Sequence, residues 1–476
     1  MSESPSPQAD PGFMALPPIT EHPSPLPAST PQRLEAGRRL RRALPRRSLA
    51  ELSGHDRDPL SILDRQNSRR LQDLLPLRAE RMSESPFAFY RGTAAIMAAD
   101  LAADAHTSLL LPSCGDAHVS NFGFYASPQR TLVFDLNDFD EAAWAPWEWD
   151  LKRLVTSIVV AGQSTGRDEA VVRSAVLSTV RAYARALRAS ADLPPIQRYY
   201  TRLDAEAGLE AMPASMQKVV RKAIKQAQRR TGERAVKKLT VADEDGRLRF
   251  VHRPPTMGPL PPSTMRQLRH LMRRYLETAS ADIHQLLRHY AIADAARRVV
   301  GVGSVGTRCA LSLLQDGDGN ALILQSKEAN RSVLEEFGGI SQPRVLENFA
   351  AAHGEGARVV ALQRVLQAVS DPFLGYLRFE GNDLYVRQFH DMKGGIEADL
   401  LDDEPFQVYS QACGITLARA HSQSPLAEVV SGYLGGGRIV GEALLDWAYA
   451  YAELSLHDYR ASLAAEGPAS EPPTPG

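Results

Sequence analysis

Residues 298–327 read RVVGVGSVGTRCALSLLQDGDGNALILQSK, and the order of signals in this stretch decides how the chain folds. Gly301, Gly303 and Gly306 form a GxGxxG pattern, which alone fits two different structures. In a dinucleotide-binding unit the pattern opens a helix, with an acid about twenty positions on, and Glu328 stands at that distance. In a hairpin the glycines form a loop over phosphates, and a lysine follows on the next strand. The residues after Gly306 favour the hairpin. Cys309, Leu311 and Leu313 alternate with Arg308, Ala310 and Ser312, which is a strand period. Asp316-Gly-Asp-Gly-Asn320 is turn chemistry, and Leu322 to Lys327 is a second strand ending in a cation. Gly301, Gly303, Ser304, Gly306 and Lys327 thereby become nucleotide-contact candidates. The plain alternative is an ordinary hairpin carrying an exposed lysine.

Strand, glycine loop, strand, turn and strand with lysine is the order of a kinase small lobe. In that setting Lys327 neutralises phosphate charge, and an acid on a nearby helix orients it; Glu335, Glu336 and Glu347 are the candidates. A second cluster lies upstream in CGDAHVSNFG (114–123) and LVFDLNDFDE (132–141). Phosphoryl transfer needs a carboxylate to position or deprotonate the nucleophile, and an Asn and an Asp to hold Mg²⁺. Asn121 follows Asp116 by five positions, the interval of a kinase catalytic loop, and Asp138 comes seventeen later. Asp116 is therefore the catalytic candidate, while Asn121 and Asp138 are the metal candidates, with Asp140 as a possible second contact. Oxygen donors of this kind suit a hard cation. His118 either orients the loop or takes part in catalysis. On an extended strand Asp138 and Asp140 share one face, and Asp135 and Asn137 the other. The alternative for all of these residues is turn and cap chemistry. Asp150 is read as a helix N-cap or as a side chain that holds the catalytic loop.

Bulk properties remove several classes. The chain has 476 residues, enough for one large core or two to three smaller ones. A formal net charge of −1 provides no global field for nucleic acid or an anionic membrane. Cys114, Cys309 and Cys413 are too few and too scattered for a disulfide framework, which fits a reducing, cytoplasmic setting. The N-terminus lacks the pattern of a secretory signal, and no apolar run approaches the ~18–20 residues of a membrane helix.

Composition divides the chain further. Residues 1–32 read as a disordered Pro-rich tail, and RRLRRALPRR (38–47) as a solvated basic arm or a phosphate-contacting one. Residues 33–190 hold the acidic half. A connecting insertion spans 191–262, with a basic helical stretch from Lys218 to Lys238. Residues 263–400 form the glycine-loop half and open with a long helix over roughly 263–296. Helices over 401–463 return to the acidic half, and 464–476 form a loose tail. Arg91 and Lys393 are either phosphate contacts or structural cations.

These segments together resemble the bacterial domain-of-unknown-function 2252 family. The matching residues are RMSESPFAFYRGTAAIMAADLA (81–102), CGDAHVSNFG, LVFDLNDFDE, PWEWDLKRL (146–154), VVGVGSVGTRC (299–309), LQSKEANRSVLE (324–335), DPFLGY (371–376), YVRQFHDMKG (385–394) and LARAHSQS (417–424). The resemblance implies an α+β, protein-kinase-like fold of two lobes, similar to aminoglycoside and choline phosphotransferases: a small antiparallel-sheet lobe and a larger, mainly helical one. By that resemblance Asp116 looks like the catalytic aspartate, Asn121 and Asp138 like the metal ligands, and Asp150 like a structural aspartate. YVRQFHDMKG looks like the hinge beside the adenine. Two departures stand out: Cys114 replaces a common His, and the glycine loop follows the catalytic loop, which implies circular permutation. The expected function is an ATP- and Mg²⁺-dependent phosphotransferase of unknown acceptor. A nucleotide-binding regulatory module and a metal-dependent phosphoesterase are the alternatives.

Overall fold

The computed structural model describes residues 27–54, 56–299, 301–389 and 392–466. The fold is α+β, with a smaller part built on antiparallel sheet and a larger part mainly of helices. Most of the Pro-rich tail and of the C-terminal tail lie outside the described residues.

The smaller part is a six-stranded antiparallel sheet in the order Gly375–Phe379, Asn382–Gln388, Ala321–Glu328, Cys309–Gln315, Ala291–Arg298 and Met257–Pro259. Its central hairpin turns at Asp316–Asn320, where the Asp316 carboxylate accepts from the Asp318 and Asn320 amides. Strand alternation then sorts the core. Leu311, Leu313 and Ile323 pack with Val236, Leu239, Phe250 and Met257 on one face, while Leu314, Leu324 and Val386 pack with Tyr275, Ile283 and Leu287 on the other.

Three segments differ from expectation. The helix expected over 263–296 is two helices, Pro262–Leu276 and Ala281–Leu287, followed by the strand Ala291–Arg298. Alanine-rich sequence favours helix, but the pairing of this run with Cys309–Gln315 overrides local propensity. Residues 191–262 do more than connect. Val236, Leu239, Phe250 and Met257 fill one side of the sheet, and Met216, Val220, Ile224 and Ala227 join the large core. The basic helix Ala214–Arg229 keeps Lys218, Arg221, Lys222 and Lys225 exposed on its other side. The N-terminal arm is likewise not loose: Thr30–Ala43 is a helix. Arg41 donates to the Gly432 and Tyr433 carbonyls and Arg46 to that of Leu434, at the C-terminal end of helix Ala427–Leu434 where carbonyls lack helical partners.

The larger part is organised around helices Trp147–Ser164 and Glu169–Ala191. Helices Asp403–His421 and Arg438–Glu466 come back to pack against them. Gly414 lets Asp403–His421 approach the backbone at Thr179 closely, since an added Cβ there would lie 2.8 Å from the Thr179 carbonyl oxygen. Among the described residues no helix is long and apolar enough to cross a membrane. The hairpin Phe122–Ala126/Leu132–Leu136 gains a third strand from Gly394–Gly395, which links the six-stranded sheet to the acidic half.

Candidate active site

The catalytic-loop candidate leaves strand Leu110–Ser113 through Gly115, whose φ of +78° and contact with the Glu141 carbonyl both require glycine. Asp150 anchors this turn: its carboxylate accepts from the Cys114 amide at 2.8 Å and the Gly115 amide at 3.0 Å. Pro146, not Asp150, stands at the helix N-cap, so the loop-holding role displaces the capping one. His421 Nε2 lies 3.2 Å from Asp150 Oδ2, and His421 Nδ1 lies 2.8 Å from the Tyr183 hydroxyl. Further on, the Val119 amide donates to Ser157 Oγ, and Tyr409 donates to the Val119 carbonyl. Two amides lose a buried acceptor in Asp150→Ala, which should cost roughly 2–4 kcal/mol. Hydrogen exchange at Cys114 and Gly115 should accelerate in that variant and checks the assignment.

Asp116 is held by a buried cation. Arg153 Nε and Nη2 lie 2.9 and 2.8 Å from Asp116 Oδ1, and the guanidinium sits 4.0 Å over the Tyr90 ring. His118 Nε2 is 3.5 Å from Asp116 Oδ2. Burial drives the His118 pKa down to about 4, more than Asp116 raises it, so the imidazole is neutral at pH 7. Its Nδ1 is buried with no hydrogen-bond partner among the described residues. The Asn121 amide nitrogen donates to the carbonyls of Asp116 (3.0 Å) and Asp138 (3.1 Å), joining the two acidic loops and leaving the amide oxygen as its ligand atom.

The acids of DLNDFD have separate environments because the strand stops at Leu136 and strict alternation stops with it. Asp135 is 1% exposed and accepts from the Leu136 and Ala368 amides, so it is a structural acceptor. Lys327 is also 1% exposed, and its Nζ lies 2.5 Å from Asp140 Oδ2 and 3.3 Å from Asp138 Oδ1. None of the three glutamates expected beside Lys327 takes that place. Glu335 pairs with Arg331, Glu336 with Arg65 and Arg69, and Glu347 is exposed. Asp140 Oδ1 accepts from the Tyr385 hydroxyl at 2.6 Å, so both Asp140 oxygens are engaged. Burial works against the charge on Asp138, but Lys327, Arg387 and Lys393 outweigh it and hold Asp138 below the usual carboxylate range. Burial and the charge of Asp138 raise Asp140 instead. Burial opposes the Lys327 charge, yet the two carboxylates lift that amine well above its ordinary value.

Residues 301–308 lead into strand Cys309–Gln315 of the hairpin it forms with Ala291–Arg298, and Gly301 and Gly306 have positive φ of 68° and 89°. The N-terminal segment grips this loop. The Leu71 amide donates to the Gly306 carbonyl at 2.8 Å, Arg70 donates to the Val305 carbonyl, and Arg81 to that of Gly301. A cleft of about 400 Å³ lies between the two halves. Asp116, His118, Asn121, Asp138, Asp140, Gly301, Gly303 and Ser304 line it together, whereas Gly306 faces Arg70 and Lys327 lies beneath the acids. Arg69, Arg70 and Arg91 also line the cleft, and Arg153 stands behind it. Arg153 is absent from the sequence expectations, although its spacing with Asp150 and Ser157 on one helical face is a signal for it; Arg69 and Arg70 carry no such signal. Part of the expected hinge, His390 and Asp391, lies outside the described residues.

The family DUF2252, whose description is an uncharacterized protein conserved in bacteria, matches residues 70–465. The chain belongs to the DUF2252 family. That span includes both acidic loops, the glycine loop, Lys327 and His421. No curated protein and no solved structure matches the chain.

This DUF2252 chain fits a hard cation at one place. The Asp138 side chain is 45% exposed, and its Oδ1 is engaged by Lys327 and the Phe139 amide, leaving Oδ2 open. The Asn121 amide oxygen is the second donor, and both residues line the cleft. Hard oxygen ligands with room for water suit Mg²⁺. Asp140 offers no free oxygen for this purpose. Among the described residues no group of three or more His, Cys, Asp or Glu side chains forms a metal cluster.

Proposed function

We propose that this protein is an ATP- and Mg²⁺-dependent phosphotransferase, with its two kinase-like halves in exchanged order along the chain. The observation that carries the reading is the cleft where Asp116, Asn121 and Asp138 meet the glycine loop, more than 150 residues later in the chain. In this reading Asp116 orients the acceptor group and accepts its proton, and Arg153 holds that carboxylate in place. Asn121 and Asp138 hold Mg²⁺, which supplies charge neutralisation at phosphate oxygens. Lys327, beneath the two carboxylates, holds Asp138 and Asp140 in place. Neutral His118 orients Asp116 without adding charge. The return of helices Asp403–His421 and Arg438–Glu466 to the acidic half supports the exchanged order. Three free, buried cysteines fit a cytoplasmic setting.

One observation favours a second reading, a nucleotide-binding module without turnover: the ion pair between Asp116 and Arg153 occupies the proposed base. Asp116→Asn separates the two. The first reading expects ATP turnover to fall by roughly 10²–10⁴-fold in the variant, with nucleotide affinity kept. Equal turnover in both proteins removes Asp116 from the chemistry. Binding without turnover in the unmodified protein favours the module.

A further inference from the structure

The acids that line the cleft already have their cations. Arg153 pairs with Asp116, Lys327 with Asp138 and Asp140, Arg308 with Glu328, and Arg65 and Arg69 with Glu336. The remaining lining acid, Glu141, is pushed by burial to a pKa of about 7, so it carries only part of its charge at neutral pH. Among the described residues the side chains of the lining cations Arg91, Arg230 and Lys393 make no hydrogen bond or ion pair; Arg230 is exposed to water, whereas Arg91 and Lys393 are half-buried. The Arg91 Nε is buried and unpartnered. Burial lowers the affinity of both side chains for their proton by more than the nearby carboxylates raise it, as for a cation held from water with no ion-pair partner in contact.

The two cations occupy separate places along the cleft. Arg91 ends helix Pro86–Gly92, and its carbonyl lies 3.5 Å from where a Cβ on Gly303 would stand, so it sits against the glycine loop. Its field also reaches Asp116 and His118. Lys393 directly precedes Gly394, which pairs with Phe124, and its field is felt at Asp138. An anion spanning the glycine loop and the metal-ligand candidates would meet both. Unpaired buried charge is costly, and a polyanion offsets that cost at two points together. Lys327, fully covered and bound to two carboxylates, has no such vacancy to offer.

We propose that Arg91 and Lys393 are the residues that grip the phosphate chain of the nucleotide, and that Lys327 acts only by positioning Asp138 and Asp140. The nucleotide part of this assignment rests on the phosphotransferase reading; the affinity for a polyphosphate does not. The test is calorimetry on the full chain in Mg²⁺ with three probes: ATP, inorganic tripolyphosphate and adenosine. Arg91→Gln and Lys393→Gln should each weaken ATP and tripolyphosphate by roughly tenfold to a hundredfold, with adenosine unchanged. Arg91→Lys and Lys393→Arg should recover part of the loss, and these variants carry the test if the glutamine forms do not fold. Tripolyphosphate that binds and responds to the variants, with no added affinity for ATP, upholds the anion grip and sinks the nucleotide reading. ATP that binds equally well to all variants overturns the grip while the phosphotransferase reading stands. Failure of both phosphate compounds to bind the unmodified protein also overturns it.

Discussion

Replacing Lys327 by Met is expected to destabilise the fold by about 3–5 kcal/mol, because it leaves Asp138 and Asp140 together without their shared cation. Lys327 is 1% exposed and Asp140 23%, so water replaces the ammonium poorly there; Asp138, at 45%, is partly solvated from the cleft, which puts the expected loss at the lower end of that range. Chemical denaturation of the two proteins measures the loss, and a difference under about 1 kcal/mol would contradict the buried clamp. The sign of the pH response should also change. In the native protein Asp138 has a depressed folded-state pKa, so its contribution is present above the ordinary Asp value of ~3.9 and is lost as pH falls through the folded value. Without Lys327, Asp140 loses the cation that opposes burial and the charge of Asp138, so it is raised further, while Arg387 and Lys393 still act on Asp138. Raised acids contribute most when protonated, so the variant should gain stability as pH falls from about 7 towards 5. Adding Asp140→Asn to Lys327→Met should restore part of the loss by removing one of the two charges.

Asp138→Ala should behave in the opposite way, with little effect on folding and a large one on binding. Lys327 keeps Asp140 at 2.5 Å, and Asp140 keeps the Tyr385 hydroxyl, so no charge is stranded. The cost to stability should stay near 1–2 kcal/mol. The open Asp138 Oδ2 is lost, however, and with it the anionic half of the proposed cation site. Mg²⁺-dependent affinity for ATP should drop by at least ~100-fold. A variant that binds Mg²⁺ and ATP as tightly as the native chain would remove Asp138 from the site.

Some of these features were legible in the residues and some were not. The glycine-loop hairpin declared itself through local chemistry: alternation from Arg308 to Leu313, then the Asp316–Asn320 turn. The DLNDFD acids declared their presence but not their partners, because the strand ends at Leu136 and face assignments by period two fail beyond it. Residues 291–296 read as helix from their alanine-rich composition, whereas their pairing with Cys309–Gln315 is a tertiary fact that composition does not carry. The partner of Lys327 is expected on a following helix but lies more than 180 residues earlier, in Asp138 and Asp140. Such long-range pairings leave no periodic trace. The same holds for the grip of Arg70 and Arg81 on the glycine loop.

The role proposed for the cleft between the acidic loops and the glycine loop is to hold a metal-nucleotide. Calorimetric titration of the full chain with ATP, once with Mg²⁺ and once with the cation chelated, tests it most directly. The expected result is one-site binding that requires Mg²⁺. No binding in either condition, or the same affinity in both, would contradict it.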